Sequence, residues 1–182
     1  MQPLQEKPRW YALSVYTRQE KSAVSEISRL GFESFLPTHP VRKLWSDRIK
    51  KLDTPLLPGY LFIHINLTPE TRVKLIRLRS IFDLVGKQKY PELGLIASPI
   101  PDSQINSLKA MLQSKQLLEP TTQLLPGTEV MISQGPLKGV CGVVEKAVSG
   151  KRRIIVQLPL LGRGIRTELS ADDVLSYQEL AR

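Results

Sequence analysis

From Leu124 onward the chain is written as short apolar runs cut by glycine, and this texture narrows the possible folds more than any other feature. Val130–Ile132, Val140–Val144, Ile154–Leu158, Arg166–Leu169 and Val174–Ser176 read as strands rich in β-branched residues. Strands this short cannot bury a face alone, so they must curl onto one another. A small five-stranded β-barrel over residues 124–178 is predicted. The glycines between the runs permit the positive-φ turns that tight connections need. Pro159, the five glycines from Gly135 to Gly162 and the β-branched content argue against a stable helical form of this segment.

Before that point strand and helix periods alternate. Trp10–Tyr16 is an aromatic and β-branched strand. Thr17 and Glu20 have the spacing of a capping box. Ala23, Ile27 and Leu30 follow at helical intervals up to Gly31, so a helix is predicted over Arg18–Leu30. Phe32–Leu36 and Val41–Trp45 look extended, with Pro37 and Pro40 suited to edge or bulged positions. A turn at Ser46-Asp47 leads into Ile49–Thr54 and then Gly59–Ile65. Thr68-Pro69-Glu70 starts a second helix that runs to about Arg79. Ile81–Val85 is a short strand, and Asp102 caps a third helix with Ile105, Leu108, Met111 and Leu112 on its apolar face. The order β-α-β-β-α-β-α places residues 8–112 in the α+β class, as an α/β sandwich with an antiparallel sheet flanked by helices. Gln113–Gln123 is polar, contains Pro120, and reads as a flexible linker.

Composition bounds the function. The longest apolar stretch, Leu56–Ile65, is interrupted by Pro58, Gly59 and His64 and falls far short of the ~20 residues a membrane helix needs. No membrane association is expected, and Met1–Trp10 lacks a signal-peptide core. Cys141 is the only cysteine, which excludes an intrachain disulfide and points to a reducing, cytoplasmic compartment. The net charge is +9, and it is unevenly shared. Residues 1–112 hold 17 Lys and Arg against 10 Asp and Glu, a surplus of 7, whereas residues 113–182 hold 9 against 7, a surplus of 2. A polyanionic partner for the first part is implied.

Catalysis is not. His39 and His64 have no metal-ligand spacing, nothing gathers Asp47, Asp53 and Asp83, and Cys141 sits on an apolar strand that suits an inert thiol. No phosphate-binding loop, dinucleotide fingerprint or nucleophile elbow occurs. Neither enzyme activity nor a metal or cofactor is expected. The absence of a heptad seam or second apolar stripe predicts a monomer.

Two segments carry more than pattern. Pro55-Leu56-Leu57-Pro58-Gly59-Tyr60-Leu61-Phe62-Ile63, with Trp10-Tyr11, resembles the N-terminal (NGN) domain of the NusG family of bacterial transcription elongation factors. Pro126-Gly127-Thr128-Glu129-Val130-Met131-Ile132, Gly135-Pro136-Leu137-Lys138-Gly139-Val140 and Gly142-Val143-Val144 resemble a KOW motif, and Gly162-Arg163 through Asp173-Val174 resembles the closing segment of that barrel. The resemblance spans Trp10 to Tyr177. KOW motifs also occur in ribosomal proteins, so a KOW-containing ribosomal or RNA-binding protein is the rival reading; it leaves Trp10-Tyr11 and the Pro-Gly-Tyr-Leu-Phe strand unexplained. Phe35-Leu36-Pro37 and the hairpin Arg42-Lys43-Leu44-Trp45-Ser46-Asp47-Arg48 are similar to specialised paralogs of the RfaH/UpxY-like kind, which antiterminate long surface-polysaccharide operons. A general NusG acting with Rho or the ribosome is the other option within the family.

The resemblance implies an elongation and antitermination factor that suppresses pausing and termination. Its N-terminal domain would bind the clamp helices of bacterial RNA polymerase through Tyr60, Phe62 and Phe82, with Leu61 and Ile63 turned to the core. Thr71 and Arg72 match the region that meets the polymerase gate loop. Arg18, Gln19, Lys21 and Arg79 match contacts to the non-template DNA strand. The hairpin's Arg42, Lys43, Trp45 and Arg48, with Lys50 and Lys51 beyond, suit phosphate contact and base stacking. The barrel would recruit Rho or a small-subunit ribosomal protein through Leu137, Val140, Ile165 and Leu169. Such a protein is cytoplasmic and nucleoid-associated during transcription.

Overall fold

The computed structural model describes residues 7–44, 49–90, 94–114, 116–122, 129–132, 135–146, 152–158, 161–169 and 177–179. The chain divides into two compact units, one of residues 1–36 with 57–102 and the other of residues 37–56 with 103–182.

In the first unit β1 (Arg9–Val15), β2 (Glu33–Phe35), β5 (Tyr60–Ile65) and β6 (Ile81–Leu84) form an antiparallel sheet in the order β2-β5-β1-β6. The alternation of β1 places Tyr11, Leu13 and Val15 on one face, and Leu61, Ile63 and Ile65 of β5 join them. Ala23 and Ile27 of α1 (Glu20–Arg29) and Leu75 of α2 (Pro69–Ile76) cover that face and complete the core. The mixed α/β sandwich expected of this region is present, and Leu61 and Ile63 are the core residues predicted. A further hairpin of β7 (Gly86–Tyr90) and β8 (Gly94–Ala97), which the sequence reading passes over, follows the sheet.

The start of the first helix differs from expectation. Thr17 and Glu20 do not form a capping box: Gln19 occupies the N-cap with no side-chain bond, and Arg18 is left-handed with φ 65°. Glu20 is instead buried and accepts a hydrogen bond from the Gly59 N–H at 3.0 Å. A buried carboxylate requires such a partner, and the residue just ahead of β5 supplies it. The second helix behaves as the sequence suggests at its start, where Thr68 Oγ1 accepts from the Thr71 N–H at 3.2 Å. It ends at Ile76 rather than Arg79.

The second unit holds a two-stranded ribbon of β3 (Thr38–Leu44) and β4 (Ile49–Pro55), the helix α3 (Asp102–Gln113), and a six-stranded antiparallel sheet. That sheet runs β14 (Tyr177–Glu179), β10 (Glu129–Ile132), β11 (Cys141–Lys146), β12 (Arg152–Leu158), β13 (Arg163–Leu169) and β9 (Glu119–Thr121). The predicted strands of the barrel are recovered in a sequential meander, except that Val174–Ser176 lie outside the described residues. The sixth strand, β9, comes from the segment expected to be a linker. It pairs with β13, Glu119 meets Arg166 at 3.0 Å, and the Thr167 hydroxyl donates to the Leu117 carbonyl at 2.8 Å. Residues 113–123 are therefore partly built into the sheet. The Cys141 N–H donates to Ser107 Oγ at 2.7 Å, which ties α3 to β11.

The barrel glycines serve two ends. Gly139 takes the positive φ expected of a turn, 84°. Gly142 is required for a different reason: a Cβ there would lie 2.4 Å from the Ile155 carbonyl oxygen, so only a residue without a side chain lets β11 and β12 pair.

Candidate nucleic-acid and protein interface

The candidates from the sequence separate into covered and open residues. Phe62 is 0% exposed. It belongs to a group of rings in which Phe62 stacks on Phe35 at 6.0 Å, Phe35 meets Trp10 edge-on at 6.5 Å, and Trp10 stacks on His64 at 4.9 Å. Glu33 Oε2 lies 3.2 Å from His64 Nδ1 and fixes that ring. The expectation that Phe62 anchors a partner at the surface is corrected here: its face of β5 is sealed by other rings. Tyr60, one strand pair along, is only half-buried.

Phe82 is open, at 64% exposure. Its position follows from a fault in strand pairing. Ser14 pairs with Asp83 and Val15 with Ile81, so Phe82 is the extra residue of a β-bulge and drops out of the alternation that buries Ile81 and Leu84. Tyr16, just beyond β1, is 51% exposed and meets Phe82 edge to face at 5.8 Å and 89°. Tyr16 is not among the site residues that the sequence suggests. The only local signal is an aromatic at the last position of a strand, immediately before the Thr17-Arg18 turn.

Backbone bonds hold this corner together. The Tyr16 N–H donates to the Ser80 carbonyl at 3.1 Å, and the Gln19 N–H donates to the Tyr16 carbonyl at 2.9 Å. Ser80 is buried, and its own N–H donates to Glu26 Oε2 at 3.2 Å. Arg18, Gln19, Lys21 and Arg79, expected to meet DNA, are all exposed around these points. No hydrogen bond or ion pair engages the Arg18, Lys21 or Arg79 side chain among the described residues.

Thr71 and Arg72 are less available. Thr71 completes the α2 cap, its hydroxyl 3.1 Å from that of Thr68, and Arg72 Nη2 lies 3.5 Å from Asp83 Oδ1. The Thr68 hydroxyl also holds the exposed Glu70 carboxyl below the usual range.

In the second unit the register sets Arg42 opposite Lys51 and Lys43 opposite Lys50. Trp45 and Arg48 lie outside the described residues. Leu137, Val140 and Ile165, expected at a partner surface of the barrel, are 0–1% exposed and form core instead; of Leu169 only the backbone, at the end of β13, is described. Ile165 faces inward from β13, while Leu137 and Val140 fold in from the turn between β10 and β11; there they join Val130, Ile132, Val143 and Ile154 in the core. Burial pushes the Cys141 thiol up from its ordinary value. Among the described residues no cluster of His, Cys, Asp and Glu could hold a metal, and no helix is long and apolar enough to cross a membrane.

Comparison with known proteins adds an independent line. The sequence profile of the family described as "Transcription termination factor nusG" matches residues 8–109. The "Transcription termination/antitermination protein NusG" of Buchnera aphidicola is 25% identical, covering 92% of this chain and 96% of its own. The protein of that name from Pseudomonas aeruginosa is 24% identical, covering 91% of this chain and 97% of its own. Among solved structures, one described as "Domain interaction in Thermotoga maritima NusG" aligns with a TM-score of 0.50 at 16% identity, covering 96% of this chain and 98% of that one. At that identity the likeness concerns fold alone.

Proposed function

Because this chain belongs to the NusG family of transcription termination/antitermination factors, we propose that it rides on bacterial RNA polymerase during elongation and suppresses pausing by holding one polymerase conformation. Residues around Tyr60 contact the clamp helices. Arg18, Gln19, Lys21 and Arg79 face the non-template DNA strand, and the basic ribbon of the second unit offers a polyanion contact of its own. Binding that favours the closed clamp over the paused state is sufficient, and no bond is made or broken. Phe82, which the resemblance sets at the edge of the polymerase surface, stands where protein and nucleic-acid contacts would meet.

The observation that carries the nucleic-acid part is the ribbon register. Two successive cross-strand pairs are basic on both sides, Arg42 with Lys51 and Lys43 with Lys50. Four basic residues in two adjacent register pairs suit a polyanionic partner. The sheet of the second unit serves recruitment of Rho or a small-subunit ribosomal protein. With Leu137, Val140 and Ile165 inside, Met131 and Leu117 are open apolar side chains among the described residues that could serve that contact.

The test is binding of the full-length protein to purified bacterial core RNA polymerase and to elongation complexes with an exposed non-template strand. Micromolar or tighter binding that Tyr60→Ala weakens, with shorter pauses in single-round transcription, is the expected result. Binding to ribosomal subunits without binding to polymerase would overturn it in favour of a ribosomal role.

A further inference from the structure

We propose that Tyr16 and Phe82 form a stacking platform for one unpaired nucleobase of single-stranded DNA, with Arg18 and Arg79 holding the flanking phosphates. The proposal rests on the reading that this surface meets nucleic acid, and is independent of the polymerase contact.

Among the described residues these are the only aromatic side chains left exposed. Leaving two large rings in water forgoes the burial that such side chains ordinarily provide. Their exposure is built by local structure rather than left over from poor packing. A bulge ejects Phe82 from the sheet, and the bond from the Tyr16 N–H to the buried Ser80 brings Tyr16 beside it. Ser80 lies between Arg79 and Ile81, so the backbone bond that anchors Tyr16 falls one residue from Arg79. Two residues past Tyr16, Arg18 holds a left-handed backbone that a non-glycine residue rarely adopts. Strain of that kind persists where the surrounding structure enforces it, and it often accompanies function.

The chemistry selects the occupant. Rings at 89° form a corner, in which a flat third ring stacks on one and meets the edge of the other. A protein partner would favour an apolar centre with charges kept to the rim. Here unpaired cations stand within three residues of each ring, while Asp83, the acid next to Phe82, is taken by Arg72. Stacking plus unpaired cations suits the base and backbone of a single strand. This groups Phe82 with the nucleic-acid surface rather than with the polymerase anchors.

The experiment titrates full-length protein into a short single-stranded DNA carrying a fluorescent adenine analogue. Duplex DNA and RNA of the same sequence are run alongside, and polymerase binding is measured on every variant. Stacking is expected to quench the analogue. Tyr16→Ala and Phe82→Ala are each expected to weaken binding roughly 5- to 150-fold, the range spanned by loss of one base–aromatic stack. Tyr16→Phe keeps the ring and retains binding, and Arg18→Gln and Arg79→Gln lower affinity and flatten its salt dependence. Thermal unfolding confirms that each variant is folded. Single-strand binding unchanged in both alanine variants overturns the platform, all the more if polymerase binding falls instead. Tighter binding to RNA or duplex overturns the assignment to single-stranded DNA. Ring-dependent DNA binding without any polymerase binding supports the platform while sinking the transcription reading.

Discussion

Toward the start of β1, Trp10, Phe35, Phe62 and His64 lie ring against ring with Phe62 wholly enclosed, whereas just past its end Tyr16 and Phe82 meet in the open. Both groups belong to one four-stranded sheet, and both consist of aromatics on strands or at their ends. What separates them is pairing. Ala12 opposite Phe62 and Phe62 opposite Phe35 continue a regular register, and the alternating face closes over. Between Ser14 and Val15 the register breaks, and the extra residue has nowhere to go but outward. A sheet can thus use the same residue type as filling at one end and as a surface feature at the other.

The largest effect expected is from Phe62→Ala, which should cost about 3–5 kcal/mol in urea unfolding, against under about 0.5 kcal/mol for Phe82→Ala. Equal losses would break the comparison by showing that Phe82 is buried in solution. Next, Glu20→Gln should cost about 1–3 kcal/mol, because it weakens the buried acceptor that holds Gly59 beside the open end. Thr17→Ala should change stability by less than about 0.5 kcal/mol, the reverse of what a capping box would give. Arg18→Gly relieves a left-handed backbone and should gain up to about 1 kcal/mol while weakening nucleic-acid binding. A gain in stability with binding unchanged would remove Arg18 from the surface. A comparably small effect is expected of the Arg72–Asp83 pair at the same end. A double-mutant cycle on Arg72→Met and Asp83→Asn should return about 0.2–1 kcal/mol, since both side chains are about one-third exposed to solvent.

Much of this was legible beforehand. The period-2 run from Trp10, the helical spacing of Ala23 and Ile27, and the Thr68-Pro69 helix start encode their elements locally, and each forms. The Pro-Gly-Tyr-Leu-Phe strand and the glycine-cut segments carry the family resemblance in the sequence itself. The candidate surface was half legible: Arg18, Lys21, Arg79 and Phe82 are open as expected, but Phe62, Leu137, Val140 and Ile165 are inside. Alternation states which residues share a face and is silent on which face another layer covers.

By itself, then, the sequence determined element types, the two textures of the chain, the concentration of positive charge in its first part, and the family. Only the tertiary structure decided that Glu20 serves Gly59 rather than its own helix, that Glu119–Thr121 join a sheet, and that Tyr16 and Phe82 meet. Each of these decisions depends on segments distant in sequence, 39 residues apart for Glu20 and Gly59. Propensity and periodicity act within a few residues. Register, bulges and buried hydrogen-bond partners are set when distant strands pair, and there the exposed aromatic corner was made.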